Sequence, residues 1–328
     1  MVRSFLFLLA LLPSSVYGQL PLSEGLFLGR LKPDGTLPPD LLTTRTAVFY
    51  DYRMQERELE VVQHYFQESG IDAVVYFESD LLAAGRDVSV ALALYLNRRE
   101  IANLVVIGKK DGAYKLYVFK YNRMATLVEE GQPAWVAENE KLEEVMLSIY
   151  RASSQGLERS NFLINDVAET GFINPITGRR SDFYAIDLSV DALAVPKFGE
   201  EEMDRQLEEV MKLYPYKYTL TEANLSEADL RQKGYMYVLR FVHARARLAK
   251  RLLGYEVTPS QSAIVSIVYP GDQPEVKNIA ADQEVYKFYF KHIPSGNTFL
   301  GTKWDADSSW DQALINQIKG FKRELKIN

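Results

Sequence analysis

Between Thr46 and Ile107 short apolar runs alternate with segments of helical periodicity, and this alternation limits the fold more than any other feature. Thr46 to Tyr50 reads as a buried strand. Leu59, Val62, Tyr65 and Phe66 then share one face of a helix over 55–69. Ile71 to Phe77 is a second strand, 87–99 a second helix, and Asn103 to Ile107 a third strand. Lys110-Asp111-Gly112 predicts a hairpin turn into a fourth strand over Tyr114 to Tyr121, because an Asp-Gly step between apolar runs suits a tight turn. A helix over 138–152 closes this half, with Leu142, Val145, Met146 and Ile149 inward.

The second half repeats the order. A strand-rich stretch from Tyr184 to Val195 precedes a helix over 200–214, whose Glu200, Glu201 and Glu202 complement the helix dipole. Strands follow at Tyr216 to Leu220 and Tyr235 to Val242, with a short helix near 227–233 between them. Ser262 to Tyr269 is a further strand. Val285 to Lys291 pairs with Thr298 to Lys303, and a helix from Asp311 ends the chain. The expected class is therefore α/β, with two domains. Each holds a mixed, mostly parallel sheet with a terminal hairpin and packed helices. The halves share this order without sequence identity, which fits a distant duplication and convergence equally. The expected boundaries are 1–18, a signal peptide; 19–44, irregular; 45–152, the first domain; 153–181, a linker; and 182–328, the second domain.

The first residues predict export. Arg3 gives a basic start, Phe5 to Leu12 an apolar core, and Val16-Tyr17-Gly18 a cleavage site that would leave Gln19 first. The apolar run is too short for a permanent span, so no transmembrane anchor is expected after cleavage. The expected location is periplasmic or extracellular, in a bacterial envelope. The 328 residues include no cysteine, which excludes disulfides, thiolate catalysis, iron–sulfur clusters and lipoprotein anchoring. A net charge of −6 argues against nucleic acid as the main partner.

Catalytic motifs are missing. No G-x-S-x-G elbow, S-x-x-K pair, phosphate loop or dinucleotide fingerprint occurs, so no cofactor is expected. His64, His243 and His292 lack metal-ligand spacing, and no metal is expected. Asp305, Asp307 and Ser309 are spaced like the opening of a calcium loop. Trp310 and Asn316 stand where that loop needs Gly and Glu, so a helix cap beside packed Trp304 and Trp310 is the better reading. Glu129 with Glu130, and Asp187 with Asp191, are carboxylate pairs of the kind a glycosidase uses. Tyr214, Tyr216 and Tyr218, with Tyr235 and Tyr237, suit strands and secondarily a recognition surface. Arg240, His243, Arg245, Arg247, Lys250 and Arg251 form a basic cluster, of which Arg240, His243, Arg247 and Arg251 are the candidate anion or partner contacts. The expected function is an exported, non-enzymatic binding or assembly protein that meets an envelope protein or glycan. The alternative is an envelope hydrolase acting on glycan or peptide through paired carboxylates.

Overall fold

The computed structural model describes residues 23–167, 169–258 and 260–327; the signal peptide expected over 1–18 lies outside the described residues. The first half runs α1 (Glu24–Gly29), β1 (Leu31–Pro33), β2 (Arg45–Tyr50), α2 (Glu56–Ser69), β3 (Asp72–Glu78), a 3-10 turn (Ser79–Ala83), α3 (Arg86–Arg98), β4 (Ile101–Lys110), β5 (Ala113–Lys120), β6 (Gln132–Asn139) and α4 (Leu142–Ser153). The second half runs β7 (Arg180–Ser181), a 3-10 turn (Ile186–Ser189), β8 (Leu193–Pro196), α5 (Glu201–Met211), β9 (Tyr218–Thr221), α6 (Glu227–Gln232) and β10 (Tyr237–Arg245). It continues with α7 (Ala246–Leu252), β11 (Ala263–Val268), β12 (Glu275–Ala280), β13 (Glu284–His292), β14 (Thr298–Phe299) and α8 (Trp310–Glu324).

The fold is α/β, with two six-stranded mixed sheets and a small two-stranded ribbon. The first sheet has the order β1-β6-β5-β4-β2-β3 and the second β7-β14-β13-β10-β8-β9. Strand for strand, the two orders correspond. β2 lies parallel to β3 and β4, as β8 does to β9 and β10. β4-β5-β6 is antiparallel like β10-β13-β14, and β1 and β7 close the sheets in parallel. The second half differs by α7 and the β11–β12 ribbon, inserted before β13. The predicted Asp111-Gly112 turn joins β4 to β5 with both residues at positive φ, which matches the twist of a tight hairpin.

Several sequence expectations are corrected. Residues 19–44 are not wholly irregular: Ser23 caps α1, and β1 pairs with β6. Gln132–Asn139 is a strand with no counterpart in the sequence reading, and the closing helix expected from 138 begins only at Leu142. Within Tyr184 to Val195 a 3-10 turn occupies Ile186–Ser189, and a strand begins only at Leu193.

The described residues of 157–179 carry no long element, yet they are tied down. Asn161 donates to the Thr44 and Gly70 carbonyls, and Gln63 donates to the Asn165 carbonyl. Thr170 bridges Tyr76 in parallel: the Tyr76 amide donates to Glu169 at 2.7 Å and the Gly171 amide to Tyr76 at 2.8 Å. This strap covers the open edge of β3. Any Cβ at Gly171 would overlap the Phe77 ring and approach Val75, so only glycine allows the approach.

Alternation along the strands splits the core. Val48, Val105 and Ile107 meet Val62 and Phe66 of α2 and Val145 and Ile149 of α4 on one face of the first sheet. Phe49, Phe77 and Val106 meet Val88, Leu92 and Leu96 of α3 on the other, and this cluster continues into Val242, Ala244, Leu248 and Val285 of the second half. Leu193, Val195, Phe288 and Phe290 of the second sheet meet Leu207 of α5 and Leu314 and Phe321 of α8.

Gly171→Ala should therefore cost about 1–3 kcal/mol by forcing the strap off Phe77. Gly271→Ala, whose added Cβ meets nothing, should stay within about 0.5 kcal/mol of the parent. Denaturant unfolding of the two variants checks the contrast.

Candidate functional site

Adjacent parallel strands whose connections leave toward opposite faces open a crevice at their carboxyl ends, where open α/β sheets usually bind ligands. β2 leads to α2 on one face and β3 to α3 on the other. In the second sheet β8 leads to α5 and β9 to α6, again on opposite faces, with Leu230 of α6 against Ala194 and Val238. Here each half fills the crevice of the other. β10 runs beyond its pairing with β8 and delivers Arg245 to the first crevice. That guanidinium bonds Glu78, bonds Asp80 at 2.8 Å, and stacks 3.7 Å from the centre of the Tyr52 ring. In return Arg86, first residue of α3, donates to the Ala223 carbonyl just past β9 at 3.0 Å. Gly85 lies against the Phe241 backbone, and the His243 amide donates to the Ala84 carbonyl.

Asp87 is the centre of this junction. It is buried, accepts from the Tyr289 hydroxyl at 2.9 Å and from Lys291 Nζ at 3.2 Å, and lies 3.4 Å from Arg240 Nε. Glu227, at the start of α6, faces the same cations, 2.9 Å from Lys291 and 3.3 Å from Arg240. Burial, with the neighbouring Asp87 carboxylate, pushes the Tyr289 phenol far above its ordinary range, so the hydroxyl keeps its proton and donates it. Burial, helped by the Arg240 charge, lowers the Arg86 guanidinium.

A groove of about 770 Å³ opens over this network between α3, residues 172–177 and the start of α6. Lys291, Asp87 and Glu227 line its inner end. Its walls are apolar, with Val90 40%, Leu94 52% and Phe172 58% exposed. Arg98 and Arg99 stand on its rim, Arg99 paired with Glu169. Such a groove offers an apolar wall beside cationic groups.

The cationic cluster read from the sequence is dispersed by the structure. Arg240 is 5% exposed and belongs to the Asp87 network. His243 is buried, stacked at 4.0 Å on Tyr286 and 3.8 Å from Glu284. Arg247 donates to the Gln261 carbonyl at 2.9 Å, and half-exposed Arg251 bonds Glu78 at 3.1 Å. Only Arg240 reaches the network beneath the groove. Its partners Asp87, Tyr289 and Lys291 escape sequence reasoning because nothing local marks them.

The other candidates also find partners. Asp305 holds buried Lys287 at 2.6 Å, and Asp307 holds Lys277 at 2.8 Å. Ser309 occupies the cap position of α8 without a side-chain bond to the helix backbone. Trp304 packs edge-on to Tyr255, and Trp310 lies 4.8 Å from Phe198. Tyr214 and Tyr216 surround Phe321, and Tyr218 meets Tyr214 edge-on, so these rings face inward. Glu129, Glu130 and Asp187 are exposed.

Two outcomes follow. Asp87→Ala leaves two buried cations with only Glu227, and should cost about 3–5 kcal/mol in denaturant unfolding. Burial pushes the Asp305 carboxyl up to about 6 from 3.8, against the opposing pull of Lys287. The native state thus favours the protonated carboxyl. Its stabilising share is complete below about pH 4 and is lost as pH rises through about 6. Asp305→Asn should remove that part of the pH dependence from unfolding midpoints taken across the same window.

Comparison of the chain with known protein families, with curated proteins and with solved structures finds no match.

Proposed function

We propose that this chain is a non-enzymatic binding protein of the bacterial cell envelope, and that it holds its ligand in the groove between α3 and α6. The observation that carries this reading is the wall of Val90, Leu94 and Phe172, left open to solvent beside Lys291 and Arg98. Apolar surface of this kind is favourable to cover, and clustered beside fixed charges it marks a recognition site. Cations outnumber acids on the groove lining, with Arg86, Arg98, Arg99 and Lys291 against Asp87 and Glu227. The fitting ligand is an apolar or aromatic group with an anionic end. Export rests on the basic start, apolar core and cleavage site within residues 1–18.

Hydrolysis through paired carboxylates has weaker support. Asp87 and Glu227 share the Lys291 ammonium, so they are near neighbours. Both carboxylates already hold cations, Asp87 3.2 Å from Lys291 and 3.4 Å from Arg240, and Glu227 2.9 Å and 3.3 Å from the same two, so a substrate would have to displace these partners to reach them.

Anilinonaphthalene sulfonate, an aromatic sulfonate whose fluorescence rises on apolar burial, tests the groove. The folded chain should bind it saturably, and Leu94→Asp or Phe172→Asp should weaken binding by about tenfold, since a carboxylate then replaces apolar contact and repels the sulfonate. Equal binding by both variants would contradict the reading. Cleavage near Gly18 and recovery outside the cytoplasm test the location separately.

A further inference from the structure

The two sheets have four edges among the described residues, and three are closed or blunted. β1 carries Lys32 and Pro33, β7 is two residues long, and β3 is covered by the strap through Thr170. β9 reads Tyr-Thr-Leu-Thr and carries neither charge, proline nor bulge, the devices that usually protect an edge.

The pairing of β9 with β8 shows which groups face outward. The Leu193 amide donates to the Lys217 carbonyl and the Lys197 amide to the Thr221 carbonyl. In a parallel ladder alternate residues bond the same neighbour, so Lys217, Thr219 and Thr221 face β8. Tyr218 and Leu220 turn their amides and carbonyls to the open side. Leu220 sits opposite Val195 as Tyr76 sits opposite Val48, and Tyr76 is the residue that the strap engages in the first half. The molecule therefore contains its own example of strand addition at the corresponding position.

We propose that the β9 edge is a docking site for an extended basic segment of a partner protein, added parallel to β9 as the strap is added to β3. Charge selects the occupant. α5, which connects β8 to β9, carries Glu201, Glu202, Asp204, Glu208 and Glu209, preceded by Glu200, against Arg205, Lys212 and the nearby Lys217. A basic strand lies favourably along that acidic flank. A second copy of the chain would instead bring α5 against α5 and set acid against acid.

The test uses the full chain and a capped peptide alternating lysine with valine, read by amide hydrogen exchange. The peptide should slow exchange at Tyr218 and Leu220 by about tenfold or more. Leu220→Pro deletes one outward amide and leaves every bond to β8, so it should abolish binding. Leu220→Ala, which keeps the amide, should retain it. Glu201→Lys with Glu208→Lys should weaken binding by about tenfold without touching the strand, which keeps the test decisive if the proline variant misfolds. Leu94→Asp should leave this binding unchanged, since the groove is a separate surface. The proposal is overturned if the two amides gain no protection, or if Leu220→Pro binds as the parent does. It is equally overturned if the chain sediments as a dimer that Leu220→Pro dissolves, because the edge would then belong to a second copy.

Discussion

A carboxylate buried between a lysine and an arginine stays there only while both cations stay with it, and Asp87 is held in this way. Removing such charges from water costs several kcal/mol per ion, and their mutual attraction returns that cost only in good geometry. The geometry here is supplied by two different halves of the chain. Asp87 comes from the start of α3, whereas Arg240, Tyr289 and Lys291 come from one face of β10 and β13. Arg245 repeats the device 165 and 167 residues from its partners Asp80 and Glu78. These pairs fix the register of the junction more than they add to stability. A shift between the halves would strand charges on both sides.

The consequence for function is a change in where a ligand can sit. In open α/β sheets the crevice at the carboxyl ends is the usual site. Here Arg245 fills one crevice and Arg86 reaches across to the other, and the groove beside them opens laterally, along α3. α3 serves both halves, with Val88, Leu92 and Leu96 in the shared core and Asp87 in the ion network. Its solvent side, Val90 and Leu94, becomes the groove wall. The matching strand orders follow from one arrangement used twice. Handedness and pairing rules leave few such arrangements for strands joined in this order.

Much of the fold is legible in the sequence because its cues are local. Continuous apolar runs such as Ala73 to Phe77 mark strands buried on both faces, and the spacing of Leu59, Val62 and Phe66 marks α2. What is illegible depends on partners far along the chain. Gln132 to Asn139 offers only the four apolar residues Ala134 to Ala137 behind a proline, and becomes a strand because β5 and β1 flank it. The strap resembles a linker in composition, and its order comes from Tyr76 and from the space that Gly171 leaves for Phe77. Arg240, His243, Arg247 and Arg251 form a cluster in sequence only. β10 turns Arg240 toward Asp87, and Arg251 reaches Glu78, each more than a hundred residues away. Asp87 and Lys291 look like ordinary surface residues until the halves meet.

The shared core and the buried ion pairs should make both halves unfold as one cooperative structure. Fluorotryptophan reports on both, with Trp135 in the first sheet and Trp304 and Trp310 in the second half. Fluorine NMR through a denaturant titration should show all three resonances losing native intensity at one midpoint. A Trp135 signal that disappears at a midpoint distinct from those of Trp304 and Trp310 would contradict it.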